Sequence, residues 1–481
     1  MLRTFIGNLT LLIVANLLVK PFWVFGIDLQ VQNQVGIETY GMYAALFNFT
    51  LLPTMLLDLG INQLNVTSIA REPQKASRLV ATLLPAKLIL GILYMFVVIG
   101  SGWLIGDAAY SSILLLLLAA NQVLAGLVVY LRSTLSGLHH FRTDTLLSIT
   151  DKLLMVFFCG TILYSGSFPA MRIEWFVYAQ TLAYVLTLLL SYILARRKVG
   201  RFSFKIDLSS LLNSLKSSFP YALLTLLMAI YTWSDMLMLE RLLPDGKLQS
   251  GMYAQAYRLF DALNMVAVLA ASLLLPMFAR MLHQKTGVDK LVRTSSIMLI
   301  FPAMCLALFS FFYAYEIIDL IYVSFTLESV IVFRLLMFAF VAMCCNYIFS
   351  TLLTANGNIS ILIRISAAAV VLNIGLKLFL IPEYKTIGAA FSAMCTFGFV
   401  SLLNIIVCLA KKIIRVNGKL LLRICLVLTL LSALLFKLKT DKFSLATSFY
   451  VSVPITVFLV FILSIVSRKE IKYFFNKPDL P

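Results

Sequence analysis

Apolar segments long enough to form membrane-spanning helices recur from one end of the chain to the other, separated by short polar breaks. About 20 helical residues cross a hydrocarbon core of about 30 Å, and a bilayer requires every backbone polar group to bond internally. Charged residues make up 12% of the 481 residues, whereas soluble domains use roughly 25%. The sequence therefore predicts an all-α polytopic membrane protein with about 14 transmembrane helices, among them spans at 7–30, 40–64, 360–381 and 386–410.

Lysine and arginine are distributed unevenly among the predicted loops. The chain carries 39 of them and has a formal net charge of +18. Most lie at the N terminus, in the even-numbered loops and at the C terminus, with dense runs at 196–216 and 411–423. Because cytoplasmic loops are enriched in basic residues, both termini are predicted to be cytoplasmic. We interpret the basic runs as topology signals that also contact anionic membrane lipids, and we do not expect nucleic acid as a partner.

A repeated segment divides the chain into two halves. Gly41-Met-Tyr-Ala reappears as Gly251-Met-Tyr-Ala, and Ser133-Thr-Leu reappears as Ser350-Thr-Leu. The repeat predicts two six-helix lobes that are parallel repeats, followed by two C-terminal helices. The predicted domains are 1–200 for the N-lobe (helices 1–6), 201–217 for a cytoplasmic linker, 218–412 for the C-lobe (helices 7–12) and 413–481 for helices 13–14 and a cytoplasmic tail.

Six basic residues lie inside predicted spans, where a lipid-facing charge costs about 2.5 to 3.5 kcal/mol on insertion scales. They are Lys20, Lys87, Lys152, Arg258, Arg334 and Lys377. Such residues are tolerated when they face water, a carboxylate or an anionic ligand. The pattern predicts a cationic cavity, with Lys87 and Arg334 as the weaker candidates, since snorkelling also explains Arg334.

Three acidic residues are candidates for binding a coupling ion, either H⁺ or Na⁺. They are Asp58, Asp235 and Asp261, because intramembrane carboxylates mark ion pathways. A structural alternative remains for each: Asp261 is spaced to pair with Arg258, and Asp58 and Asp235 are equally suited to hydrogen bonds between helices. No other cofactor and no metal site is expected, because the 7 Cys and 3 His lack metal-ligand spacing. No enzyme signature is found, so we expect a non-enzyme.

Three N-terminal motifs resemble a known family. They are Lys20-Pro21, the segment Val-Gly-Ile-Glu-Thr-Tyr-Gly-Met-Tyr at 35–43 and Leu-Asp-Leu-Gly-Ile at 57–61. Together they resemble the polysaccharide-biosynthesis transporters, the O-antigen flippase type, of the multidrug/oligosaccharidyl-lipid/polysaccharide (MOP) superfamily. The resemblance implies two lobes around a cavity in the bacterial cytoplasmic (inner) membrane.

That resemblance also implies a substrate and partners. A polyprenyl-pyrophosphate-linked oligosaccharide would be turned from the cytoplasmic to the outer leaflet by alternating access, for export of O-antigen, capsule or exopolysaccharide. Lys20 and Arg258 would then contact the pyrophosphate, and Lys152 and Lys377 would add a secondary attraction. A glycan polymerase and other assembly proteins are possible partners.

Other functions predict different features. A multidrug or metabolite cation antiporter of the same superfamily favours a net acidic cavity, so six intramembrane cations make it the second hypothesis. A membrane scaffold for glycan-assembly enzymes predicts that these cations are dispensable. A polymerase or glycosyltransferase predicts a large outer catalytic loop, and no loop of that length is predicted in this sequence.

Overall fold

The computed structural model describes residues 18–19, 21–105, 113–138, 140–164, 171–200, 208–285, 287–415 and 418–463. Within these ranges the regular elements are all helical. The prediction of an all-α polytopic membrane protein is therefore confirmed.

The helices follow one another along the chain, joined by short connections. They are α1 (Leu29–Val35), α2 (Ile37–Leu51), α3 (Ile61–Arg71), α4 (Ala76–Ile105), α5 (Ile113–Gly137), α6 (Phe141–Tyr164), α7 (Ile173–Val199), α8 (Leu208–Leu242), α9 (Gly246–His283), α10 (Asp289–Ile321), α11 (Leu327–Ala355), α12 (Ile359–Ala410), α13 (Gly418–Thr440) and α14 (Leu445–Ile462). A π-helix at Val24–Asp28 precedes α1, and 3₁₀ turns lie at Leu52–Leu57 and Pro73–Lys75.

Among the described residues, 12 helical segments are long and apolar enough to cross a membrane. One of them, α12, has 52 residues and would be about 78 Å long at 1.5 Å per residue, more than twice a hydrocarbon core. Its backbone leaves the helical region at Lys385 (φ 49°, ψ −128°), three residues after Pro382. α12 thus covers the two spans predicted at 360–381 and 386–410, and the total of 14 stays a prediction.

The structure breaks the single span that the sequence predicts at 40–64. Helix α2 ends at Leu51, a 3₁₀ turn containing Pro53 follows, and the chain then passes through left-handed residues Leu59 (φ 46°) and Gly60 (φ 83°) before α3. Proline removes a backbone donor, and glycine adopts a positive φ without steric cost. The Lys87 ammonium donates to the Leu57 carbonyl at 2.8 Å and to Asp58 at 2.6 Å. These hydrogen bonds give the polar groups at the break a partner.

The described helices group into two compact units. One comprises Met1–Arg258 and Ile359–Ala389, and the other comprises Leu259–Asn358 and Ala390–Pro481. In the first unit α5 packs against α3 and α7, and in the second α10 packs against α11 and α13. The lobe boundaries drawn from the repeat stay a prediction.

The two copies of the repeated segment touch each other inside the first unit. A methyl group built on Gly41 would overlap the Lys247 carbonyl oxygen and the Gly251 backbone, and one on Gly251 would overlap the Ile37 carbonyl. The Ser250 hydroxyl also donates to the Gly41 carbonyl at 3.2 Å. Small residues permit this close approach of helix backbones, so α2 and α9 cross at the glycine that begins each copy.

A charged contact holds the α8–α9 turn to the kink in α12. The Lys385 ammonium lies 3.0 Å from Asp245, and the Gln249 amide donates to the same carboxylate at 2.8 Å. The pKa of Asp245 is lowered below its ordinary value, first by the hydrogen bond from Gln249 and then by that from Lys385. A carboxyl whose pKa is lowered by folding stabilises the protein above its unfolded pKa, and the stabilisation is lost as the pH falls through the folded pKa.

We therefore expect Asp245→Asn to lower the thermal midpoint of the detergent-solubilised protein at pH 6. The difference between variant and wild type should shrink below about pH 4, where carboxyls of ordinary pKa protonate. Thermal unfolding followed at a series of pH values measures this. A difference that stays constant down to pH 3 would show that the carboxylate charge contributes nothing to the contact.

Candidate functional site

Arg258 lies in a polar network that joins three segments of the first unit. Its Nε atom is 3.1 Å from Asp28 Oδ2 and donates to the Tyr40 hydroxyl at 2.7 Å. Tyr40 donates in turn to Asp28 Oδ1 at 2.9 Å. The π-helix at Val24–Asp28 orients Asp28, and α2 and α9 supply the other two side chains. Asp28 is 4% exposed at its side chain and Arg258 is 17% exposed, so the cation is the more accessible member.

Lys152 lies on α6 between two aromatic rings. Its ammonium is 5.6 Å from the centroid of Trp23 and 5.7 Å from that of Tyr184. Both distances suit a cation–π contact. The adjacent Asp151 carboxylate is 3.1 Å away, and the Lys152 side chain is 22% exposed. Lys152 is therefore paired, yet a ligand can reach it.

A row of aromatic rings connects the two cations. Tyr40 and Tyr43 have ring centroids 5.5 Å apart, Tyr43 meets Phe176 edge to face at 5.4 Å, and Trp23 stacks on Phe176 at 5.8 Å. We call this group the aromatic–cation cluster; it consists of Trp23, Tyr40, Tyr43, Lys152, Phe176, Tyr184 and Arg258.

The cluster combines two kinds of binding surface. A guanidinium can hold two phosphate oxygens at once, and an ammonium acts as a point charge. Broad aromatic faces offer rigid apolar area on which the C–H face of a sugar ring can pack. Asp28 and Asp151 neutralise the two cations in the structure described, so an anionic ligand has to compete with a carboxylate for each cation.

Lys377 and Asp235 form a second ion pair, which is buried. The ammonium is 2.6 Å from Asp235 Oδ1 and donates to Ser234 Oγ at 2.8 Å. Tyr253 donates to Asp235 Oδ2 at 2.8 Å, and the Ser234 hydroxyl lies 3.5 Å from Asn373 Oδ1. The Lys377 side chain is 0% exposed, so a ligand of the aromatic–cation cluster cannot reach it in this conformation.

The remaining candidates from the sequence lie elsewhere. Lys87 and Asp58 hold the broken segment between α2 and α3, with Lys87 buried and Asp58 40% exposed. Arg334 belongs to the second unit, where its guanidinium lies 5.6 Å from the Phe311 ring. Asp261 is half-buried in the same unit. Lys20 falls outside the described residues.

Sequence reasoning missed several members of the cluster. It gave no functional role to Asp28, which is the partner of Arg258, and none to Tyr40, Tyr43 or Tyr184. A signal was present for Tyr40 and Tyr43, because residues three apart share a helix face. Tyr43 also lies in the repeated segment, whereas Tyr40 directly precedes it and has no tyrosine counterpart, since Ser250 precedes the second copy. No comparable signal indicated Tyr184.

A family model described as "Polysaccharide biosynthesis protein" matches residues 6–282, which is more than half of the chain. The match includes every residue of the aromatic–cation cluster. No curated protein matches the sequence.

Solved structures of MOP-superfamily transporters resemble this fold along most of the chain. The lipid II flippase MurJ, in an inward closed conformation, has a TM-score of 0.72 at 14% identity and covers 97% of this chain and 99% of its own. A multidrug resistance MATE family transporter, inward-facing, has a TM-score of 0.60 at 14% identity, covering 81% and 95%. A MOP superfamily transporter from Pyrococcus furiosus, whose binding pocket has reverse polarity, has a TM-score of 0.52 at 15% identity, covering 84% and 94%. At these identities the similarity is one of fold.

Proposed function

The chain belongs to the polysaccharide biosynthesis protein family, and from that membership we propose that it is a flippase for a polyprenyl-pyrophosphate-linked oligosaccharide. It would move this molecule from the cytoplasmic to the outer leaflet of the bacterial inner membrane, with both of its own termini cytoplasmic. The exported glycan would serve as O-antigen, capsule or exopolysaccharide.

The observation that carries the proposal is the pairing of accessible cations with aromatic rings. Arg258 and Lys152 are partly exposed and lie at opposite ends of one row of rings. A pyrophosphate joined to a sugar presents two anionic groups beside an apolar ring face, which matches that arrangement. Lys20, predicted in the same helix as Trp23, would add a third cation.

Exchange of partners supplies a simple binding step. Phosphate oxygens displace Asp28 from Arg258, and the released Asp28 keeps its hydrogen bond from Tyr40. Because the cations are neutralised beforehand, the headgroup gains the difference between two ion pairs rather than the whole energy of one. A modest affinity of this kind permits release after reorientation, which a flippase requires.

Net movement also needs a driving force. We propose an ion gradient of H⁺ or Na⁺ as that force. Among the predicted carboxylates, Asp58 is paired with Lys87 but its side chain is 40% exposed, whereas the side chain of Asp235 is 4% exposed. A glycan polymerase and other assembly proteins are proposed partners on the outer side, and membrane lipids surround the apolar helix faces.

The rival function is a cation antiporter of the same superfamily. The structural similarity to MATE family transporters favours it, and so does the presence of carboxylates in the cluster. Against it, Asp28 and Asp151 each already hold an internal cation. A cationic drug would therefore have to displace a tethered lysine or arginine.

Mass spectrometry of lipid-linked glycans tests the function in the native host. We expect deletion of the gene to cause build-up of an unexported polyprenyl-pyrophosphate glycan, because its polymerisation site lies across the membrane. Wild-type protein should reverse the build-up, as should Lys437→Glu, a charge reversal at an exposed position of α13. An unchanged lipid pool together with greater sensitivity to cationic compounds would favour the antiporter.

A further inference from the structure

The oxygen atoms around Lys377 resemble the inner shell of a monovalent cation. The ammonium contacts a carboxylate oxygen of Asp235 and the hydroxyl of Ser234, and the carbonyl oxygen of Asn373 faces that hydroxyl. Tyr253 donates a hydrogen bond to Oδ2 of Asp235. The other carboxylate oxygen, Oδ1, contacts the Lys377 ammonium. Carboxylate, hydroxyl and amide oxygens are the ligands that hard metal ions prefer.

The single carboxylate of the site also matches a cation that carries one positive charge. One carboxylate with neutral oxygens balances a monovalent ion, whereas divalent ions are usually held by several carboxylates. No group of three or more His, Cys, Asp or Glu that could hold a metal occurs in the described residues. Asp235 is buried, so its negative charge requires a proton or a cation close by.

We propose that the Lys377 ammonium is a tethered cation filling a site that would otherwise bind Na⁺. A covalently held cation cannot exchange with solution. Asp235 is thereby removed from sodium coupling, and a gradient that drives this protein acts through another group. The proposal concerns an ion site outside the aromatic–cation cluster, and it holds whatever substrate the protein moves.

The test is the sodium dependence of thermal unfolding of the purified full chain. NaCl and choline chloride are compared at equal ionic strength, with Lys377→Ala as the variant that vacates the site. Wild type should unfold at the same temperature in both salts. Lys377→Ala should unfold earlier than wild type in choline chloride and regain stability in NaCl, with a midpoint that keeps rising as Na⁺ exceeds its dissociation constant.

The matched control is Lys377→Ala combined with Asp235→Asn, which keeps the vacated space but removes the carboxylate. Its midpoint should not depend on Na⁺. The proposal is wrong if Lys377→Ala responds to Na⁺ no more than this control does. If Lys377→Ala does not fold, wild type is compared with Asp235→Asn instead. A sodium response that wild type shows and Asp235→Asn lacks would mean that Na⁺ binds at Asp235 although Lys377 is present, and the proposal would then be wrong.

This readout is separate from transport. If deletion of the gene caused no build-up of a lipid-linked glycan, the flippase function would be overturned and the sodium result would still stand. A failed sodium result would likewise leave the glycan assay unaffected.

Discussion

Arg258→Glu is expected to abolish export of the lipid-linked glycan while the protein remains in the membrane. A glutamate at this position faces the buried carboxylate of Asp28 and repels the pyrophosphate that the guanidinium would bind. Arg258→Gln removes the charge alone. A hydrogen bond from a charged donor contributes about 1.5 to 3 kcal/mol, and because Arg258 already pairs with Asp28, that energy is the upper limit of the loss. We therefore expect export to fall by up to roughly 100-fold. Accumulation of the unexported glycan, measured by mass spectrometry against protein level, gives the rate.

A second variant separates binding from folding. Removing one member of a buried ion pair leaves an uncompensated charge, which by itself destabilises a protein by about 3 to 5 kcal/mol. The combination Asp28→Asn with Arg258→Gln has no unpaired charge and should fold normally, yet it still lacks the guanidinium. We expect it to be as deficient in export as Arg258→Gln. Export at the wild-type rate would mean that Arg258 serves only to neutralise Asp28.

The helical architecture was predictable because a bilayer leaves a chain few alternatives. Long apolar segments must satisfy their backbone internally, so their length and spacing indicate where helices lie. The break after α2 was less evident. Its determinants were visible as Pro53 and the Asp58-Leu59-Gly60 sequence, but the ammonium that stabilises it comes from α4. A local pattern does not show which helix supplies such a partner.

The same limit explains what was missed in the site. Asn373 and Lys377 are four residues apart and so share a helix face, and both lie beside Ser234. The carboxylate partners of Lys377 and Arg258 lie on other segments. Helical periodicity identifies residues on one face, whereas the neighbouring helix depends on the packing of the whole bundle. The intramembrane cations are therefore visible in the sequence, whereas the carboxylate partners of Arg258 and Lys377 required the structure.

The repeated glycines yield the other prediction of large effect: Gly41→Ala and Gly251→Ala should each destabilise the protein. The new methyl group meets backbone atoms of the opposing helix, which cannot rotate away as a side chain would. Overpacking of this kind costs about 1 to 3 kcal/mol, and it exceeds the gain of roughly 1 kcal/mol that alanine brings to a helix. Thermal unfolding in detergent and the glycan assay would both register the change.

Gly375→Ala is the matched control, because Gly375 is also helical and a methyl group there meets nothing within 4 Å. The same substitution should stabilise the protein at position 375 and destabilise it at positions 41 and 251. The equilibrium constant for the contact between α2 and α9 should fall about tenfold for each 1.4 kcal/mol. If the transport cycle passes through that contact, export should fall once the touching state is no longer the major one. Equal stability of Gly41→Ala and Gly375→Ala would show that the two copies of the repeat do not pack closely. Loss of stability with full export would show that the contact supports the fold and takes no part in transport.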